Sequence, residues 1–217
     1  MILMLNETTP PRTRTRDKLV EVARQLFHQH GYRATGIAEI LRAAEVNSGS
    51  LYYFFPSKED LLVAVLESYR ELLRPRIMDP AFERVRDPLE RVFAVLDGYR
   101  QQLIDSGCKE GCPIGNLALE MSDDHPRIRD LVAENFVAWR DAVQECFNEL
   151  SNRLPEETDT AALSAFVLTV MEGGVMQARA HASLEPYENA VEMLRDYLDR
   201  LLADGTAWTR GEREKTP

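Results

Sequence analysis

The stretch Thr35–Asp60, TGIAEILRAAEVNSGSLYYFFPSKED, leaves this chain few folding options. Ile37, Ala38, Ile40, Leu41 and Ala44 share one face at helical spacing, so a short helix is expected there, with Thr35 as its cap. Ala43 and Ala44 are small enough for a second helix to cross close by. Val46 plugs the turn, and Asn47 or Ser48 caps a helix from Ser48 to about Phe54 that points Leu51 and Phe55 inward. Ser48, Ser50, Tyr52 and Tyr53 are left on an uncharged, hydroxyl-bearing outer face, where Gly49 allows close approach. Pro56-Ser57-Lys58-Glu59-Asp60 then ends that helix and opens another, with Ser57 as N-cap and Asp60 at the capping-box position. Helix, tight turn, helix with a polar outer face is the geometry that sets a reading helix in a DNA major groove.

The rest of the chain carries the helical period and no strand-like alternation, which makes it all-α. Leu19, Val22, Ala23, Leu26 and Phe27 stripe a bracing helix over 17–30, closed by Gly31. A longer helix from Glu59 to about Arg74 links the head to the remainder, with Pro75 and Pro80 breaking its pattern. Further helices are expected over 88–107, 114–121, 127–150, 160–183 and 187–203. Residues 1–16 read as a flexible basic arm and 206–217 as a flexible tail. In the arm, Arg12, Arg14 and Arg16 are placed to follow the phosphate backbone or enter the minor groove.

The chain carries a net charge of −10, which argues against a nucleic-acid partner until its distribution is considered. Residues 1–58 hold eight basic against five acidic residues, a net of +3, and the remainder is at −13. A basic head on an acidic body suits a protein that docks on DNA by one end. Three cysteines argue against a disulfide framework, and no apolar run suggests a membrane span, so a cytoplasmic protein is expected. Catalytic signatures such as G-x-S-x-G, a phosphate-binding glycine loop or H-E-x-x-H are absent from the sequence, so no enzyme and no cofactor are expected. Asp123-Asp124-His125 is better explained as capping than as a metal site, and no metal is expected.

The run T-x-I-A-x-I-x-x-A-x-V-x-x-G-x-L-Y-x-F-F-x-S-K-E-x-L resembles the DNA-binding domain of TetR-type transcriptional repressors over roughly 17–66. Glu45 stands where that family usually has glycine, and Phe54 where it often has histidine. The resemblance implies a helix-turn-helix domain over 17–66 and a helical effector-binding and dimerisation domain over 67–205. It also implies a homodimer on a palindromic double-stranded operator, released by a small-molecule effector. Ser48, Ser50 and Tyr53 are then the candidates for base edges, with Gly49 at the contact, and Thr35, Tyr52 and Lys58 the candidates for phosphates.

The last two long helices are apolar over more than one face. Val167, Val170, Gly174, Leu194, Leu198 and Leu201 are the candidates for a four-helix interface with a second copy. For the effector, the soft and aromatic side chains are Phe93, Tyr99, Leu117, Met121, Phe136, Trp139 and Met171, with Glu120 and Asn135 as polar groups. An alternative is control by thiol oxidation or electrophiles at Cys108 and Cys112, where Lys109 and a helix start would activate a thiol. A non-catalytic helical interaction protein is the reading from another class, and the polar reading helix and charge split count against it.

Overall fold

The computed structural model describes the backbone of residues 11–121 and 125–213, and the side chains of 14–121 and 125–204. Every regular element among them is helical: α1 Pro11–His30, α2 Ile37–Ala44, α3 Ser48–Phe54, α4 Lys58–Leu73, a π-helical turn Arg74–Met78, α5 Asp79–Arg84, α6 Pro88–Ser106, α7 Pro113–Met121, α8 Pro126–Glu149, α9 Thr160–His181 and α10 Glu185–Arg213. The contacts group them into two compact units. One, the head, is the chain up to Arg70 together with Pro113–Asn135, and the other, the body, is Glu71–Cys112 together with the chain from Phe136 on. Thus α7 and the first half of α8 join the DNA-binding segment, whereas a single division near residue 66 was expected.

The head is built on α1, against which α2, α3 and α7 pack. Leu19, Ala23, Ile40, Ala44, Leu51, Leu61, Leu62 and Leu66 are all fully buried at its centre. Such short helices are marginal alone, and this burial holds them. From α8, Asn135 donates its side-chain amide to the Leu66 carbonyl on α4 at 3.1 Å. Asn135 is therefore buried, with its amide tied to the backbone, and does not face solvent.

In the body, α9 packs along α10. The Tyr187 hydroxyl donates to the Leu96 carbonyl of α6 at 2.7 Å, and its ring lies against Gly174. Asp87 caps α6 by accepting from the Leu89 and Glu90 N–H groups, with Pro88 at the first helical position, where no intrahelical bond is lost. Asp159 caps α9 in the same way. By length and composition α9 could cross a membrane, contrary to the expectation from sequence. Leu163, Val167, Leu168, Met171 and Val175 on it are buried by the chain itself, as in a core helix.

Three boundaries differ from expectation. Residues 12–16 belong to α1 instead of a free arm, because Pro11 suits a helix start and Arg and Thr can extend a helix already nucleated by the apolar stripe. The region 206–213 continues α10, and only 214–217, like 1–10, lies outside the described residues. Pro75 and Pro80 do not end the helical path. The chain widens into a π turn, in which the Asp79 N–H bonds to the Arg74 carbonyl, and Pro80 falls in the first turn of α5.

The expected interface side chains also sit differently. Val167, Gly174, Leu194 and Leu198 are buried within one chain, while Val170 and Leu201 are half-buried. Among the described residues, the large apolar groups that α9 and α10 leave exposed are Phe166, Met176, Met193 and Tyr197, at 44%, 58%, 64% and 47% of their surface. Phe166 and Tyr197 meet edge to face at 5.7 Å.

Two glycines test this packing in opposite directions. A Cβ on Gly98 of α6 would meet nothing within 4 Å, so Gly98→Ala should stabilise the protein by about 0.5–1 kcal/mol through helix propensity. A Cβ on Gly174 would lie 3.0 Å from the Tyr187 ring and 3.4 Å from its Cα. Gly174→Ala should therefore destabilise by about 1 kcal/mol or more. Urea midpoints at unchanged slope measure both.

Candidate nucleic-acid interface

The head presents one polar helix on a rigid base. At the end of α2, Glu45 takes the left-handed conformation, φ 52° and ψ 43°. Its N–H bonds to the Arg42 carbonyl, and that of Val46 bonds to Leu41 at 3.0 Å, which closes the turn. A side chain here costs about 1–2 kcal/mol in backbone strain. The Glu45 carboxylate accepts from Lys18 of α1 at 3.1 Å, an exposed pair that offsets little of it.

Asn47 is the N-cap of α3, accepting from the Ser50 N–H at 2.8 Å. Leu51 and Phe55 are buried beneath it, which turns Ser48, Gly49, Tyr52 and Tyr53 outward, with Ser50 half-exposed. Tyr52 and Tyr53 show 52% and 66% of their surface. The Tyr53 ring is stacked edge to face on Phe54 at 4.9 Å, which limits its freedom. Phe54 thus supports a reading-face tyrosine at the position where the resembled family often has histidine. Ser57 and Asp60 form the reciprocal cap of α4: the Asp60 N–H donates to Ser57 Oγ, which donates to the Asp60 carboxylate. That hydrogen bond is the main cause holding the Asp60 carboxyl below its usual range, with Arg127 assisting.

Two phosphate candidates have other duties. Thr35 is fully buried, and its hydroxyl donates to the carbonyls of Gly31 at 2.7 Å and Leu26 at 3.2 Å. Neither can it cap α2, whose N-cap is Gly36. It secures the end of α1, where Gly31 adopts φ 87°. Lys58 is half-buried, donates to the Tyr32 carbonyl at 2.5 Å and lies 4.1 Å from the Tyr32 ring centre. Burial lowers its pKa, against the pull of Glu120. These positions were legible as polar residues beside the reading helix, but not as a buried one and a half-buried one.

Glu120 completes this base. From α7 its carboxylate accepts from the Tyr32 N–H at 2.9 Å and the Arg33 N–H at 2.5 Å. It braces the head through these two bonds. Leu117 and Met121 also lie in the head unit, and Phe93, Tyr99, Phe136, Trp139 and Met171 in the body. Of these the structure joins Tyr99 and Trp139, whose indole N–H donates to the tyrosine oxygen at 3.0 Å. Arg16 is exposed, Arg14 is half-buried, and the Arg12 side chain lies outside the described residues.

Cys108, Cys112 and Cys146 are buried and form no disulfide. Burial pushes the Cys146 thiol up to about 11. Among the described residues no cluster of His, Cys, Asp and Glu is placed to hold a metal. Asp123 and Asp124 lie outside those residues, and the His125 ring is 3.0 Å from the Glu59 carboxylate.

Residues 19–65 match the family model of bacterial regulatory proteins of the tetR family, and residues 88–193 match that of the transcriptional regulator LmrA/YxaF-like C-terminal domain. The chain belongs to the TetR family. It is a DNA-binding transcriptional regulator and not an enzyme. As a TetR-family chain it is 29% identical over 187 residues to the regulator LmrA of Bacillus subtilis, covering 86% of this chain and 97% of the relative. To the repressor NemR of Escherichia coli it is 28% identical over 193 residues, covering 85% and 94%. A solved TetR regulator from Chloroflexus aurantiacus superposes with a TM-score of 0.75 at 28% identity, over 87% of this chain and 96% of that one.

Thr35 separates the two roles that a TetR head residue can have. Thr35→Val should cost about 1–2 kcal/mol by leaving buried carbonyls without their donor. It should leave the slope of log K against log salt unchanged, whereas losing a phosphate contact lowers it by about one unit. Urea unfolding and DNA titrations at several salt concentrations read the two effects separately.

Proposed function

We propose that this TetR-family regulator is a homodimeric cytoplasmic repressor that binds a palindromic operator and is released by a small-molecule effector held in the body. The observation that carries the reading is α3, which turns Ser48, Gly49, Tyr52 and Tyr53 outward while Leu51 and Phe55 anchor it. Hydroxyls and aromatic edges of this kind suit base-edge hydrogen bonds and thymine methyl contacts, without bringing in charge. The excess of basic residues over 1–58 supports attraction of that segment to phosphates, and the acidic remainder of the chain is repelled by them. Two relatives, NemR and DhaR, are named as repressors.

Phe166, Met193 and Tyr197 support the dimer. Large apolar groups gathered on the outer side of one helix pair suit burial against the same groups of a second copy, about a symmetry axis. The effector then acts by population: it favours a dimer whose reading helices are too far apart, or misdirected, for the operator.

Selection from random duplex DNA tests the reading. A palindrome should be enriched, with half-sites about 34–36 Å apart or a multiple of that. Tyr53→Ala should change the preference among selected sequences, and an equal loss on all of them would remove it from base reading. Met193→Glu combined with Tyr197→Glu should give a monomer by light scattering. Its operator affinity should fall about 100-fold or more, because the second half-site no longer binds as part of one molecule. A folded wild-type dimer that enriches no sequence would overturn the proposal.

A further inference from the structure

Two arginines of the body, Arg76 and Arg84, line one groove without an acid to hold. Acids outnumber bases in this unit, and Arg74, Arg91, Arg100, Arg153 and Arg195 each pair with one of its carboxylates. Arg76 and Arg84 are exposed and form no ion pair among the described residues. The groove they line measures about 450 Å³ and lies wholly within the body. That volume is in the range of small-molecule sites.

The groove forms where the helical path widens. Arg76 and Ile77 come from the π turn, Arg84 and Val85 from the end of α5, and Ala94 and Gly98 from α6. Such π turns often occur at functional sites. Ile77, Val85 and Ala94 give the lining an apolar part, and Ile77 has 39% of its surface exposed. Gly98 keeps space in the groove. It lies inside α6, where glycine weakens a helix, yet a Cβ on it would meet nothing within 4 Å. Packing does not require glycine there, and a larger side chain would occupy the groove. Asp97 is the acid of the lining, which therefore carries two guanidiniums against one carboxylate.

We propose that this groove takes an amphipathic organic anion, its carboxylate held by Arg76 and Arg84 and its apolar part beside Ile77, Val85 and Gly98. The inference rests on the effector reading above and adds the ligand's charge and the residues that recognise it. A guanidinium fork matches a carboxylate with two parallel hydrogen bonds. An amine of the same skeleton would meet the excess positive charge, and an alcohol would leave both arginines without a counter-charge.

Calorimetric titration of the intact protein tests it with two matched sets: octanoate, octan-1-ol and octylamine, and 3-phenylpropionate, 3-phenylpropan-1-ol and 3-phenylpropylamine. On at least one skeleton the carboxylate should bind about tenfold more tightly than the alcohol, with the amine weakest. Arg76→Gln and Arg84→Gln should each reduce that advantage. Arg86→Gln, at an exposed arginine outside the groove, should leave it in place. Gly98→Leu, confirmed folded by thermal unfolding, should weaken the carboxylate about tenfold or more by filling the space. A carboxylate no tighter than the alcohol on both skeletons, an equal loss in Arg86→Gln, or unchanged binding in Gly98→Leu overturns the site. If the carboxylate binds through the two arginines but the selected operator stays bound, the site stands and its assignment as effector site fails. Operator binding without any carboxylate binding defeats the inference and leaves the repressor reading intact.

Discussion

The head depends on how the Glu120 carboxylate of α7 meets the turn after α1. Once Gly31 has ended the helix, the Tyr32 and Arg33 N–H groups have no helical carbonyl to bond, and both are given to Glu120. The Tyr32 carbonyl goes to Lys58 at the start of α4, and the Gly31 carbonyl to Thr35. One short turn therefore has its polar groups satisfied from α7, from α4 and from Thr35, two residues before α2. Charge-assisted hydrogen bonds of this sort are stronger than neutral ones. The orientation of α2, and through its turn that of α3, follows from this arrangement. The reading helix has only seven residues and its direction has to come from outside it.

Caps, period and turn made the reading unit legible from sequence. Asn47 and the Ser57–Asp60 pair cap the helices they were expected to cap, because capping is decided by residues within a few positions of each other. Leu51 and Phe55 face inward for the same local reason, the helical period. What stayed hidden depends on residues far away in the chain. Thr35 has the right chemistry for a cap or a phosphate, but burial decides its role, and burial comes from packing. Glu120 is 88 residues from Tyr32, and Asn135 is 69 from Leu66, so no local pattern relates them. A polar residue on an apolar stripe signals only that some backbone group needs a partner.

The interface candidates on α9 and α10 could not be ranked from sequence for a related reason. A helix that is apolar over several faces gives no ranking of those faces. Val167, Leu194 and Leu198 are drawn into the core of their own chain, and Phe166, Met193 and Tyr197 are left outside. The effector residues could not be sorted between head and body from sequence, because α7 reads as one more helix of the body.

Because residues 113–135 complete the unit that begins at the N-terminus, that unit is not a detachable N-terminal cassette. A fragment ending at Arg70 would lack the acceptor for Tyr32 and Arg33 and the donor for Leu66. During synthesis the ribosome must therefore release about 65 further residues before the first segment can close, including all of α6. The DNA-binding unit is finished only after a large part of the other unit has emerged. The order of assembly thus works against a half-made chain that presents a finished reading helix.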